Sequence, residues 1–70
     1  MNMMKKFKRN DTVVYIPPYL DTTDIKHKLA EISKVIEVLS KEYLYIENIK
    51  NGTQRVIHIN NIYYDNRGSK

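Results

Sequence analysis

The sequence predicts a small, mostly β domain, and three observations carry that reading. Thr12-Val13-Val14-Tyr15-Ile16 is β-branched and aromatic, the composition of a strand. Tyr43-Leu44-Tyr45-Ile46-Glu47 alternates as a strand does, and residues 53–59 return as another, with Gln54, Val56 and His58 set against Arg55, Ile57 and Ile59. Between these two lies Asn51-Gly52, a strong hairpin signal because both residues tolerate positive φ. Seventy residues make one domain. A chain of this size buries only about 60% of the surface its unfolded form exposes.

The elements follow in order. Residues 1–9 are expected to be a basic, flexible arm, although Met3, Met4 and Phe7 are apolar enough to fold back onto a core. Pro17-Pro18 ends the first strand, since proline brings no N–H to a ladder. A long polar connection runs over residues 17–31, with Asp21, Thr22 and Thr23 suited to turns or to helix N-caps. Ile59-Asn60-Asn61-Ile62 reads as a tight turn or a single 3-10 turn, Tyr63-Tyr64 as a short last strand, and residues 66–70 as a polar tail. The single domain is therefore placed at 10–65.

Residues 24–43 admit two readings. Ile25, Leu29, Ile32, Ile36, Leu39 and Tyr43 recur at spacings of four and three, a helical stripe that would give β-α-β-β with a helix over 24–42. Ser33-Lys34-Val35-Ile36-Glu37-Val38-Leu39 is β-branched at three of seven positions and is followed by the polar turn Ser40-Lys41-Glu42. Read as a strand, it completes a set of five strands with a long first loop and a 3-10 turn before the last. That is the arrangement of an SH3-like barrel, in which closure removes most sheet edges.

The order of features decides between them by resemblance. A short basic lead-in, Asp11, Val13-Val14-Tyr15-Ile16-Pro17-Pro18, Asp24 with His27 and Glu31, the Tyr43 to Glu47 strand, Gly52-Thr53-Gln54-Arg55 and Asn61-Ile62 follow one another. The chain thereby resembles a group of small phage- and prophage-encoded proteins with an SH3-like barrel, over roughly residues 7–64. Asn10 stands where that group has glycine, and can still adopt a left-handed turn. Ser33 stands at another expected glycine. The resemblance implies the five-stranded SH3-like barrel and brings no activity with it. In that barrel Val14, Ile16, Ile36, Val38, Leu44, Ile46, Val56 or Ile57, Ile59 and Ile62 are the expected core.

Composition narrows the function. The chain has no cysteine, so no disulfide or thiolate metal site is expected. No glycine-rich phosphate loop is possible with only Gly52 and Gly68. The serines sit in no nucleophile-elbow context. No enzymatic activity and no cofactor are expected. The apolar runs are only a few residues long, so no membrane-spanning helix is expected. No apolar stretch follows the basic N-terminus as a secretory signal would require, and a cytosolic location in a bacterial host is expected. Asp24, His27 and Glu31 would share one face if locally helical, as a weak zinc or manganese site requires. Three ligands without a fourth favour the other reading, a loop clamp in which Asp24 caps a turn and His27 bridges to Glu31.

The net charge of +4 is unevenly placed. Lys5, Lys6, Lys8, Arg9, Arg67 and Lys70 are half of the twelve Lys and Arg, while all eight acids lie in residues 10–66, whose charge is six against eight, or −2. Nucleic-acid binding therefore rests on the arm, Lys5, Lys6, Lys8 and Arg9, with tyrosines stacking on bases; it would fall steeply with salt and be lost on deleting residues 1–9. Six of the seven aromatics are tyrosine, too many to bury in so small a core. Tyrosine is enriched at binding surfaces because it joins apolar area to a hydroxyl. In the barrel, Tyr15, Pro18, Tyr19, Tyr63 and Tyr64 are expected to converge as a face for an extended or proline-rich peptide of a protein partner. Such a partner is the leading expectation, a host or defence protein among the candidates. Nucleic acid is the alternative, self-association through an edge strand the third class, and no membrane contact is expected.

Overall fold

A computed structural model of the chain describes residues 6–65, so Lys5 and the expected tail at 66–70 lie outside the described residues. Five antiparallel strands form one sheet: β1 (Thr12–Tyr15), β2 (Glu31–Val38), β3 (Tyr43–Asn48), β4 (Gln54–His58) and β5 (Ile62–Tyr64). Their order is β4-β3-β2-β1-β5. β2, β3 and β4 form a meander, and β5 returns to the free side of β1. Short 3-10 turns at Pro18–Leu20 and Ile59–Asn61 are the helical elements among the described residues. The domain is mostly β, with the long loop after β1 and the 3-10 turn before β5 that the strand reading requires. As a ladder the sheet is open, with β4 and β5 at its edges.

No helix forms over 24–42 among the described residues. Glu31–Val38 lies in the middle of the sheet, paired with β1 on one side and β3 on the other. A helix there would remove a ladder partner from both strands at once. The β-branched Ile32, Val35, Ile36 and Val38 suit the pleated surface instead. Tertiary pairing thus overrides a helical stripe whose N-terminal part, residues 24–30, holds only turns.

Register sets two faces, because residues directly opposite share a side of the sheet. On one side Phe7, Val13, Tyr15, Val35, Leu44, Ile46 and Ile62 pack as a single core, with Ile57 and Ile59 partly buried against it. Val14 and Ile16 are buried as well, on the opposite side; Val14 lies between Ile32 and Tyr63 in the ladder. Two expected core positions are corrected: Val38 is 39% exposed and Ile36 is only half-buried. Of the alternatives Val56 and Ile57, Ile57 packs on the core and Val56 is 57% exposed. The register of β2 against β3 shifts between Val35 and Glu37, a bulge that hands the core position to Val35 and leaves Ile36 out of step. Val56 pairs with Tyr45 and points away from the core, which Ile57 faces beside Leu44.

Candidate functional site

The expected tyrosine face is divided by the sheet. Tyr15 is opposite Ile62, faces the core and is 8% exposed. Its ring carries the Arg55 guanidinium 5.6 Å from its centroid. Tyr64 is opposite Val13 on the same side and packs on Phe7 with ring centroids 4.6 Å apart. Tyr63, between them in the chain, faces the other side beside Val14. Tyr19 stands out into solvent at 78% exposure. Convergence of all five residues is therefore corrected: strand alternation sends Tyr63 one way and Tyr15 and Tyr64 the other.

Pro18 and Tyr63 do come to one site. They line a groove of about 550 Å³ together with Ile16, Pro17, Asp21 and Asn61. Thr22 and Thr23 complete its wall. The groove is made by three pieces of chain. Ile16 continues β1, and its N–H donates to the Asn61 carbonyl at 3.0 Å, which ties the end of β1 to the second 3-10 turn. Pro17-Pro18 then forces the chain out of the sheet into the first 3-10 turn. Asp21 ends that turn with φ 51, its N–H donating to the Pro18 carbonyl at 3.2 Å. The lining thus joins two prolines, an isoleucine and a tyrosine to two threonines, an aspartate and an asparagine. Asp21, Thr22, Thr23 and Asn61 were legible in sequence only as turn residues; their local chemistry says nothing of what they will face.

The expected clamp is half present. Thr22 Oγ1 accepts the Asp24 N–H at 3.1 Å, and Asp24 Oδ1 accepts the Lys26 N–H at 2.9 Å. The His27 N–H donates to the Asp24 carbonyl at 2.9 Å, and His27 Nδ1 accepts the Leu29 N–H at 3.0 Å. These bonds hold the loop as successive turns. The bridge from His27 to Glu31 is corrected. Glu31 begins β2 opposite Tyr15, so its carboxylate is carried to the core side. There Oε1 accepts from Asn48 Nδ2 at 3.3 Å and pairs with Arg55 Nε at 3.5 Å. Among the described residues no cluster of His, Asp and Glu has the arrangement of a metal site.

The basic lead-in is attached to the domain from Lys6 onward. The Lys6 N–H donates to Tyr64 Oη at 3.0 Å, and the Tyr64 hydroxyl donates to the Lys6 carbonyl. Phe7 is buried in the core. The Lys8 N–H donates to Asp11 Oδ2 at 2.8 Å, and Arg9 Nε lies 3.6 Å from Glu37 Oε1. Lys5 lies outside the described residues. Among the described residues no helix is long and apolar enough to cross a membrane. No family model matches the chain, and no curated protein or solved structure matches it.

Proposed function

We propose that this protein is a non-enzymatic interaction module that docks an extended segment of a partner protein in the groove between the 17–30 loop and the second 3-10 turn. The observation that carries this is that Ile16, Pro17, Pro18 and Tyr63 line one groove, with Asp21 beside them. Prolines and a tyrosine lining one groove are residue types that receive an extended or proline-rich peptide. The Asp21 carboxylate favours a basic residue next to the apolar ones. A phage or prophage origin, a cytosolic location and a host or defence protein as the partner belong to the same reading and rest on the resemblance in sequence order.

Nucleic-acid binding has less behind it. Of the arm's cations, Arg9 is paired with Glu37, and the Phe7 ring, 8% exposed and tilted against Tyr64, offers no open face for a base. The test is a nuclease-treated pull-down from bacterial lysate, run with wild-type protein and with Tyr63→Ala. A specific protein captured by wild type should be retained about 10- to 30-fold less well by Tyr63→Ala, the loss typical of a central tyrosine. Equal capture by both would sink the reading, as would recovery that vanishes with nuclease.

A further inference from the structure

We propose that a second groove, at the other end of the core, docks an acidic segment of a partner through an apolar side chain flanked by carboxylates. This groove holds about 670 Å³. Its lining joins Phe7, Val38 and Leu44 to Lys6, Lys8 and Lys41. None of these residues lines the first groove. The proposal goes beyond the peptide reading above, with a different site and a ligand of opposite charge.

The construction follows from register and anchoring. Val38 is opposite Leu44, so both face the core side at the β2–β3 end of the sheet. Leu44 is buried, while Val38 is exposed at the mouth. The lead-in is fastened by the Lys6–Tyr64 bonds and by the Asn10 N–H donating to the Val35 carbonyl at 2.8 Å. With Phe7 directed into the core, Lys6 and Lys8 on either side of it stay exposed at the groove. Lys41 comes from the β2–β3 turn, whose Leu39 and Ser40 N–H groups both donate to the Tyr43 carbonyl.

The two ends of the core differ in charge balance. At the end near Asn48, the Arg55 guanidinium lies over Tyr15 and is matched by Glu31. At the Leu44 end, Lys6, Lys8 and Lys41 line the groove beside Phe7, Val38 and Leu44, and Val38 is the exposed apolar residue among them. Glu31 pairs with Arg55 and Glu37 with Arg9, neither with a groove lysine. The Asp11 carboxylate accepts the Lys8 backbone N–H rather than an ammonium group. Surplus positive charge calls for an anion, and the apolar lining calls for an aliphatic or aromatic body. A nucleic acid would supply the anion but needs an open ring to stack on, and Phe7 is 8% exposed with Tyr64 against it. An acidic peptide carrying a leucine or phenylalanine supplies both.

The probe is a fluorescein-labelled peptide, Glu-Asp-Leu-Phe-Asp-Glu, titrated with the full chain by fluorescence anisotropy. Its Gln/Asn counterpart and a short single-stranded DNA run alongside. The acidic probe should bind saturably and more weakly as salt rises. Lys6→Glu, Lys8→Glu and Lys41→Glu should each weaken it about 2- to 5-fold, the scale of exposed charge pairs. The triple variant should weaken it at least about tenfold. Tyr63→Ala should leave it unchanged, which separates this site from the first groove. All three lysines are exposed, and circular dichroism checks that the variants fold. The proposal is overturned by the absence of saturation at about 1 mM probe. Equal binding of the neutral peptide, indifference to the triple variant, or preference for DNA over the acidic peptide would each overturn it too.

Discussion

Gly52 has φ +78 in the β3–β4 hairpin, and a Cβ built there meets nothing within 4 Å. Gly52→Ala therefore tests the backbone alone. It should destabilise by about 1–2 kcal/mol, the cost of a left-handed conformation for an ordinary residue, and Gly52→Asn by less. Urea denaturation measures both. Asn48 does more through its side chain. It is buried; Oδ1 accepts the Lys50 and Asn51 N–H groups at 2.8 and 3.2 Å, and Nδ2 donates to Glu31. Asn48→Ala should cost about 1–3 kcal/mol, because it removes three part-buried hydrogen bonds and empties a buried site. A change below about 0.5 kcal/mol in the same melts would show that water replaces these bonds. Asn10, at φ 73, adopts the left-handed turn its sequence position called for, so asparagine serves where the resemblance expects glycine.

At the scale of the element, β2 decides the fold. It is the longest strand and has ladder partners on both sides, and its bulge near Ile36 separates a buried Val35 from an exposed Val38. Neighbouring β3 and β4 offer a direct contrast. Leu44 and Val56 are both apolar strand residues, but Leu44 is 1% exposed and Val56 faces solvent. Leu44→Ala should lower stability by about 2–5 kcal/mol. Val56→Ala should stay within about 0.5 kcal/mol. Thermal melts that rank the two in the reverse order would mean that the face assignment of β3 against β4 is wrong.

For the whole molecule, the lead-in from Lys6 onward is part of the fold. Phe7 belongs to the core cluster, and Lys6 is bonded to Tyr64 in the last strand, so the two ends of the domain meet. Deleting residues 1–9 consequently removes a core side chain along with the charges. The truncated chain should lose roughly 3–5 kcal/mol, the usual effect of emptying a phenylalanine site, and in a small domain that is a large share of the total. A melt of the truncated chain matching wild type would refute this. Loss of any binding on truncation therefore says little about the arm as a site. Charge reversal at Lys6 and Lys8 with Phe7 kept is the informative experiment.

Much of the architecture was legible in the chain because it is written locally. The Pro17-Pro18 pair, Asn51-Gly52, β-branched runs and the 59–61 turn act within a few residues, and each stands where the sequence puts it. The reading of 31–38 needed more, since a helical stripe and a β-branched strand coexist there. Ladder pairing with two neighbours decided between them. The grooves were legible only in part. Tyrosine surplus marked Tyr63, and proline marked Pro18, but no local signal placed Asp21 beside them or set Lys41 opposite Lys6 and Lys8. By itself the sequence determined the composition, the class and the positions of the turns, all of which depend on short-range backbone preference. The tertiary structure decided which side of the sheet each tyrosine faces, which partner Glu31 takes and which lysines share a groove. Those outcomes depend on strand register, and a shift of one residue in register reverses the face of every side chain that follows.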